Sequence, residues 1–334
     1  MSPQRCPACE GVRDHRFVEE RRDPVGGVVY RLFRCGTCAL VFCEPRERVG
    51  PDWYVKASPL RAQEVRPPAG SDWRFRRFLD AGLEPGRLLD VGCGDGGFLM
   101  LAAARSWHGS GVDYEERMIA LARAKGLDAH AGDFADYLKA LPAKAFDAVT
   151  LFDVLEHAPE PRDLLALIKP VLKRGGHLAV TFPNESRPDL FGREEYDYPP
   201  HHFTRWNPGA LRNFLQQNGF EVLRLEAVGP SVRWFSEILF DGLIAPRALG
   251  LARQLLFGAQ AQGTLTDLYA APGAAKPSAA AGFLANKSRR QAVVDAAKFA
   301  CRALTYPLAI VLAAAYRLRP DSGEYLFCLA RYDG

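Results

Sequence analysis

The chain has little net charge, no apolar run long enough to cross a bilayer and no charged-then-apolar leader, and each shortage excludes a class of protein. A formal charge of +4 over 334 residues is too small to point to nucleic acid by itself. The apolar stretch Leu304 to Tyr316 is interrupted by Pro307 and falls short of the ~20 residues a spanning helix needs. Cys6 and Cys9 follow the first residue within a polar stretch, so no secretory leader is expected and synthesis should finish in the cytoplasm. In that reducing setting the eight cysteines are expected as metal ligands and core residues, not disulfides. What remains is ordinary for a globular protein, with 48% hydrophobic and 25% charged residues.

The small charge is unevenly spread. Between Pro230 and Pro320, 11 Lys/Arg face 4 Asp/Glu, so the basic excess belongs to one region.

The densest pattern is Leu88-Leu89-Asp90-Val91-Gly92-Cys93-Gly94-Asp95-Gly96-Gly97-Phe98-Leu99. It reads as a buried parallel strand, a glycine turn and a helix, which aims backbone N–H groups and a helix N-terminus at a ligand. Gly92, Gly94 and Gly97 also match the dinucleotide fingerprint G-x-G-x-x-G, a weak signal when alone. Asp90 discriminates, because a carboxylate two positions before the first glycine would crowd a pyrophosphate but suits an amino group or a sulfonium. Asp113 closes the next apolar run, Ser110 to Asp113, where an acidic strand end can accept hydrogen bonds from both ribose hydroxyls. An NAD-linked oxidoreductase therefore rests on the glycine match alone.

Four segments, Leu88–Leu99, Gly111-Val112-Asp113-Tyr114, Gly132-Asp133-Phe134 and Phe146 through His157, resemble the ordered motifs of class I S-adenosylmethionine-dependent methyltransferases. The resemblance covers roughly residues 80 to 230. It implies a doubly wound, seven-stranded Rossmann-like sheet whose last two strands form an antiparallel hairpin. It also implies that Asp90, Gly92, Cys93 and Gly94 surround the methionine end of the cofactor and Asp113 the ribose. Asp133 would take the adenine amino group, Tyr114 and Phe134 the adenine faces, and the Phe152 backbone the amino group.

Upstream, Cys6-Pro7-Ala8-Cys9 and Cys35-Gly36-Thr37-Cys38 form two C-x-x-C knuckles. Each converges two thiolates, and together Cys6, Cys9, Cys35 and Cys38 make the closed tetrahedral shell that Zn²⁺ accepts. With four thiolates the ion has no open position, so its expected role is structural. Cys43 reads as core filler. A cysteine-paired N-terminus before this core is similar to the zinc-containing branch that methylates small molecules and sugars.

The expected boundaries are a zinc ribbon over 1–50, a proline-rich linker and entry helix over 51–82, and a methyltransferase core over 83–229. A basic helical insertion with a flexible middle follows over 230–323, and the last core strand spans 324–334. Ser71 is the expected N-cap of the entry helix and Gly82 its end. Trp53-Tyr54 either closes over the cofactor, as an aromatic pair there can in the resembling family, or packs on the ribbon. Strands are expected near 88–92, 110–113, 128–131, 146–152 and 177–182, with helices near 98–107, 115–125, 134–141 and 162–173. Gly175-Gly176 should stop the last of those helices. Asn207-Pro208 should start a further helix, with Gly219 capping it. Phe220–Val228 and Glu324–Tyr332 supply the last two strands. Between them lie helical segments near 231–257 and 287–318 and an Ala/Gly/Pro/Ser-rich middle, Gly258 to Gly282, that cannot bury enough side chain to order itself. The 287–319 stretch is either a buried helix or, flanked by Arg302, Arg317 and Arg319, a peripheral contact with anionic lipid at the inner membrane face.

Methyl transfer needs acceptor, methyl and sulfur held in line. A hydroxyl acceptor also needs a base, and His157 at the strand's end is the first choice, with His201 and His202 on the long loop Pro183–Trp206 next. The implied activity is O-methylation of a small molecule, sugar or lipid-linked glycan. Two alternatives stay open: C-methylation of a nucleotide-linked keto sugar, and a zinc-ribbon nucleic-acid-binding protein with a vestigial core. Against the second, the ribbon carries no concentrated Lys/Arg helix for a groove.

Overall fold

The computed structural model describes residues 5–47, 69–187, 195–229, 232–239, 305–316 and 323–334, with a few single residues between them. Two compact units emerge, one comprising residues 1–228 with 320–334 and the other residues 229–319.

The first unit begins with three antiparallel strands, β1 (Arg16–Arg22), β2 (Val29–Arg34) and β3 (Val41–Glu44). The two cysteine knuckles lie just before β1 and between β2 and β3. Trp53 donates its indole N–H to Asp23 in the β1–β2 turn at 2.9 Å, so this ring packs on the strands; Tyr54 lies outside the described residues. Helix α1 (Trp73–Leu79) is capped not by Ser71 but by Asp72, whose carboxylate accepts from the Arg74 backbone N–H. Ser71 instead ends a short 3-10 turn over Ala69–Ser71. The aspartate wins because its side chain reaches the free N–H of the first turn from an extended backbone.

The main sheet alternates strand and helix: β4 (Arg87–Val91), α2 (Gly97–Ala103), β5 (His108–Asp113), α3 (Glu116–Ala124), β6 (Asp128–Ala131), α4 (Phe134–Ala140), β7 (Phe146–Phe152), α5 (Pro161–Val171) and β8 (Leu172–Pro183). After the two-residue strand β9 (Thr204–Arg205) come α6 (Pro208–Gln217), β10 (Phe220–Val228) and β11 (Tyr325–Tyr332). The strand order is β10-β11-β8-β7-β4-β5-β6, parallel except where β11 pairs antiparallel with β8 and β10. This is the seven-stranded Rossmann-like methyltransferase sheet, with the closing hairpin drawn from the two ends of a long insertion.

The central strands are largely apolar because both faces are covered, the buried pair Asp90 and Thr150 excepted. Leu88, Ala148 and Phe152 pack toward α1 and α2, against Phe78, Phe98 and Trp107. Leu89, Val91, Val149 and Leu151 pack toward Leu164, Leu165, Ile168 and Phe214 on the other side. Each such large apolar side chain contributes about 1.5–3 kcal/mol by burial. Gly175 and Gly176 do not stop α5; they fall inside β8, where its register with β7 slips between Phe146 and Ala148. The helix ends earlier because Leu172 turns extended and enters the sheet. At α6 the Asn207 side chain accepts from the Ala210 N–H, and Gly219 follows the helix at φ +84°, as the sequence suggests.

In the second unit, helix α7 (Val232–Leu239) and a helix over 305–316 pack through Phe235, Leu239, Ala309, Ala313 and Tyr316. The Ser236 and Thr305 hydroxyls bond at 2.7 Å. Leu308, Ile310 and Val311 stay exposed on the other side of the second helix. Residues 241–304, including the expected flexible middle, lie outside the described residues. Among the described residues no helix is long and apolar enough to cross a membrane.

Candidate active site

Every parallel strand points its C-terminal end at one edge of the sheet, and the crevice there is where this architecture places ligands. The turn after β4 is shaped by three glycines at positive φ, Gly92 (+80°), Gly94 (+53°) and Gly96 (+78°). A Cβ on Gly92 would come within 2.7 Å of the Val154 side chain, so bare backbone is required here.

Asp90 is 3% exposed and accepts the Thr150 hydroxyl at 2.6 Å, a contact set by the pairing of β4 with β7. Burial pushes its carboxyl up to about 7, with the Asp113 charge adding to the rise. A positively charged ligand would reverse that, which is what a sulfonium or ammonium group offers. Asp113 accepts from the Gly94 N–H at 2.9 Å and from the Glu115 N–H at 2.9 Å, tying the first turn to the second.

Asp133 caps α4, accepting from the Ala135 N–H at 2.6 Å, and takes the Tyr114 hydroxyl at 3.2 Å. The rings of Tyr114 and Phe134 meet edge to face at 5.4 Å. Tyr114 is exposed and Phe134 buried, so one ring is placed to move and the other is fixed. The Cys93 thiol packs in the core with Leu99, Ile119, Ala122 and Ala129, leaving its backbone at the glycine turn, and the Phe152 ring packs edge-on to Phe98 at 4.9 Å, leaving its backbone at the end of β7.

These residues fit S-adenosylmethionine: a glycine turn with no room for side chains, a buried carboxyl awaiting a cation, and an acid at the second strand end.

Beyond β7 the chain meets the long loop that carries His201 and His202. A 3-10 turn over Leu155–His157 follows β7. The Glu156 carbonyl accepts from the Phe203 N–H at 2.9 Å, and His157 Nδ1 donates to the His201 carbonyl at 2.6 Å. Three imidazoles thereby gather: ring centroids are 4.5 Å apart for His157–His201, 4.8 Å for His157–His202 and 4.9 Å for His201–His202. The loop then adds β9 to the edge of β3, making a fourth strand of the N-terminal sheet. A buried ionic cluster fastens the same junction, with Glu185 taking Arg34 at 2.8 Å, Arg193 at 3.0 Å and Arg205 at 3.2 Å.

Sequence reasoning missed several residues. Arg74 bridges Asp72 and Asp153, bringing α1 to the crevice edge. Glu156 is 2% exposed, and burial together with the Asp153 charge raises its carboxyl well above the usual range. Burial pushes His202 the opposite way, well below its ordinary value. Thr150 could have been found as the one hydroxyl in its strand; Arg74 carried no local signal, and Glu156, in the run Leu155-Glu156-His157, reads from sequence as a group that orients a neighbour, its burial being invisible there.

The four N-terminal thiols converge, with Cys6 Sγ to Cys38 Sγ at 3.7 Å and Cys9 Sγ to Cys35 Sγ at 3.5 Å. All four sulfurs lie within 4.8 Å of one another. A tetrahedral ion with metal–sulfur bonds near 2.3 Å needs edges of ~3.8 Å, so the cluster fits a thiolate-bound ion.

A family model described as a methyltransferase domain matches residues 68–225. A ubiquinone biosynthesis O-methyltransferase of Aromatoleum aromaticum is 28% identical over 188 residues, covering 52% of this chain and 79% of that one. One of the same name from Hahella chejuensis is 37% identical over 118 residues, covering 33% of this chain and 49% of its own length, so the chain spans about half of that relative. A crystal structure of a SAM-dependent methyltransferase from Archaeoglobus fulgidus is 19% identical with a TM-score of 0.48, covering 84% of this chain and 99% of that one. Residues 68–225 thus match a methyltransferase domain, in agreement with the strand order of the main sheet and the glycine turn after β4.

Proposed function

We propose that this protein O-methylates a hydroxyl of a small molecule, sugar or lipid-linked glycan, with the acceptor lying between the crevice edge and the loop that carries His201 and His202. The observation that carries the reading is the placement of His157. Its Nδ1 is committed to the His201 carbonyl at 2.6 Å, which leaves Nε2 with the lone pair. O-methylation also agrees with the names of the relatives.

S-adenosylmethionine supplies a methyl group on a sulfonium, already a good leaving group. When it is bound, Asp90 would face its positive charge near the glycine turn, Asp113 would take the ribose and Asp133 the adenine amino group, with Tyr114 and Phe134 beside the base and backbone groups of Gly92, Cys93, Gly94 and Phe152 lining the rest. The His157 imidazole takes the acceptor's hydroxyl proton as the new carbon–oxygen bond forms, so the alkoxide never has to exist free in water. Cys6, Cys9, Cys35 and Cys38 would hold a structural Zn²⁺ that braces the N-terminal sheet, to which β9 ties the loop carrying His201 and His202.

Methyl-labelled cofactor and a panel of hydroxylated acceptors test this directly. A labelled ether is expected. A new carbon–carbon bond would move the assignment to C-methylation of a keto sugar, and absence of S-adenosylhomocysteine binding by calorimetry would remove it altogether.

A further inference from the structure

From the histidine cluster we infer that His157, His201 and His202 form a second metal site, taking one divalent first-row transition ion and tying the acceptor loop to the crevice edge. Their ring nitrogens lie within 4.8 Å of one another, a spread that small ring rotations close onto a single ion. The outer contacts are those that metal-bound imidazoles use. His157 Nδ1 donates to the His201 carbonyl at 2.6 Å, which turns Nε2 inward. His202 Nδ1 faces Asp197 at 3.7 Å, which turns its Nε2 inward as well.

An independent observation points to a cation here. Glu156 is 2% exposed, and neither carboxylate oxygen has a hydrogen-bond partner among the described residues. Its Oε1 lies 4.0 Å from His157 Nε2 and 3.9 Å from His202 Nε2, facing both of the inward nitrogens. A buried carboxyl without a donor is costly, and an ion seated among the rings answers it.

Three imidazole nitrogens select zinc, cobalt or nickel over magnesium or calcium, which prefer oxygen. Three protein ligands also leave a coordination position open, as in catalytic rather than structural sites. His202 is buried while His157 and His201 are partly exposed, so the open position faces solvent. An acceptor hydroxyl bound there would be acidified by the ion and would lose its proton to solvent water, the His157 ring then serving as a ligand and not as the base. That last step rests on the proposed O-methylation; the binding site does not.

Equilibrium dialysis of the full-length protein, purified with zinc in the thiolate cluster, against Co²⁺ tests it, with metal analysis as readout. The wild type should hold one cobalt equivalent beyond its zinc, and His157→Gln and His201→Ala should each weaken that equivalent about tenfold or more. Both variants should keep their zinc and bind S-adenosylhomocysteine as the wild type does. Retention of zinc alone by the wild type, unchanged cobalt affinity in His201→Ala, or Mg²⁺ binding of equal strength would overturn the inference. A failed methyltransferase reading would show separately, as lost S-adenosylhomocysteine binding.

Discussion

His157 Nδ1 donates to the backbone carbonyl of His201 at 2.6 Å across a gap of 44 residues in sequence. The bond fixes the ring's tautomer and joins the 3-10 turn after β7 to the loop that carries His201 and His202. Replacing His157 with alanine should lower kcat by about 10²–10⁴-fold. S-adenosylhomocysteine affinity, measured by calorimetry, should stay within a factor of two or so of wild type, because the hydrogen bonds of Asp90 and Asp113 at the glycine turn do not involve this ring.

Cofactor binding should depend on pH through Asp90. Its carboxyl is held up to about 7 in the free protein, so below that value it is protonated, and a cationic ligand must displace the proton. Affinity for S-adenosylmethionine should rise with pH up to about 7 and then level off, with proton release detected by calorimetry in buffers of different ionisation enthalpy. Asp90→Asn should bind more weakly and show no release from this position. For folding the sign is opposite. The folded state holds this proton more tightly than the unfolded chain, so its stabilising effect is complete below the unfolded value near 3.8 and is lost as pH rises through about 7. Asp90→Asn should therefore gain stability relative to wild type at alkaline pH, measured by denaturant unfolding.

Stripping the thiolate cluster should damage acceptor binding before cofactor binding. β9 completes the N-terminal sheet by pairing with β3, and the Cys43 N–H donates to the Phe203 carbonyl at 3.2 Å. Cys35→Ser should lose the zinc and raise the acceptor KM severalfold or more, while S-adenosylhomocysteine still binds. Equal loss of both affinities would show that the N-terminal sheet supports the whole crevice.

Glu185 anchors the junction between loop and N-terminal sheet. It is buried with Arg205 and pairs the half-buried Arg193, and removing one partner of such a cluster strands the others without compensation. Glu185→Ala should cost on the order of 3–5 kcal/mol in denaturant unfolding.

The helix over 305–316 keeps Leu308, Ile310 and Val311 exposed next to a basic sequence, so we expect the full-length protein to co-sediment with anionic vesicles and less with neutral ones. Ile310→Asp should reduce the difference, and equal sedimentation with both would dismiss it.

The amino-acid sequence alone determined the alternation of strand and helix from Leu88 onward, because apolar periodicity and glycine turns are local properties that leave marks within a dozen residues. It likewise marked the Cys6, Cys9, Cys35 and Cys38 quartet, since two short knuckles each converge their own thiols. It misplaced the cap of α1 and the end of α5, where Asp72 over Ser71 and Leu172 over Gly175 were decided by backbone geometry at a boundary. Only the tertiary structure brought His157 to His201 and His202, set Glu156 beneath them and made Thr204–Arg205 a strand of the N-terminal sheet. Those contacts join segments far apart along the chain, and their stability comes from burial and shared hydrogen bonds that no single segment encodes.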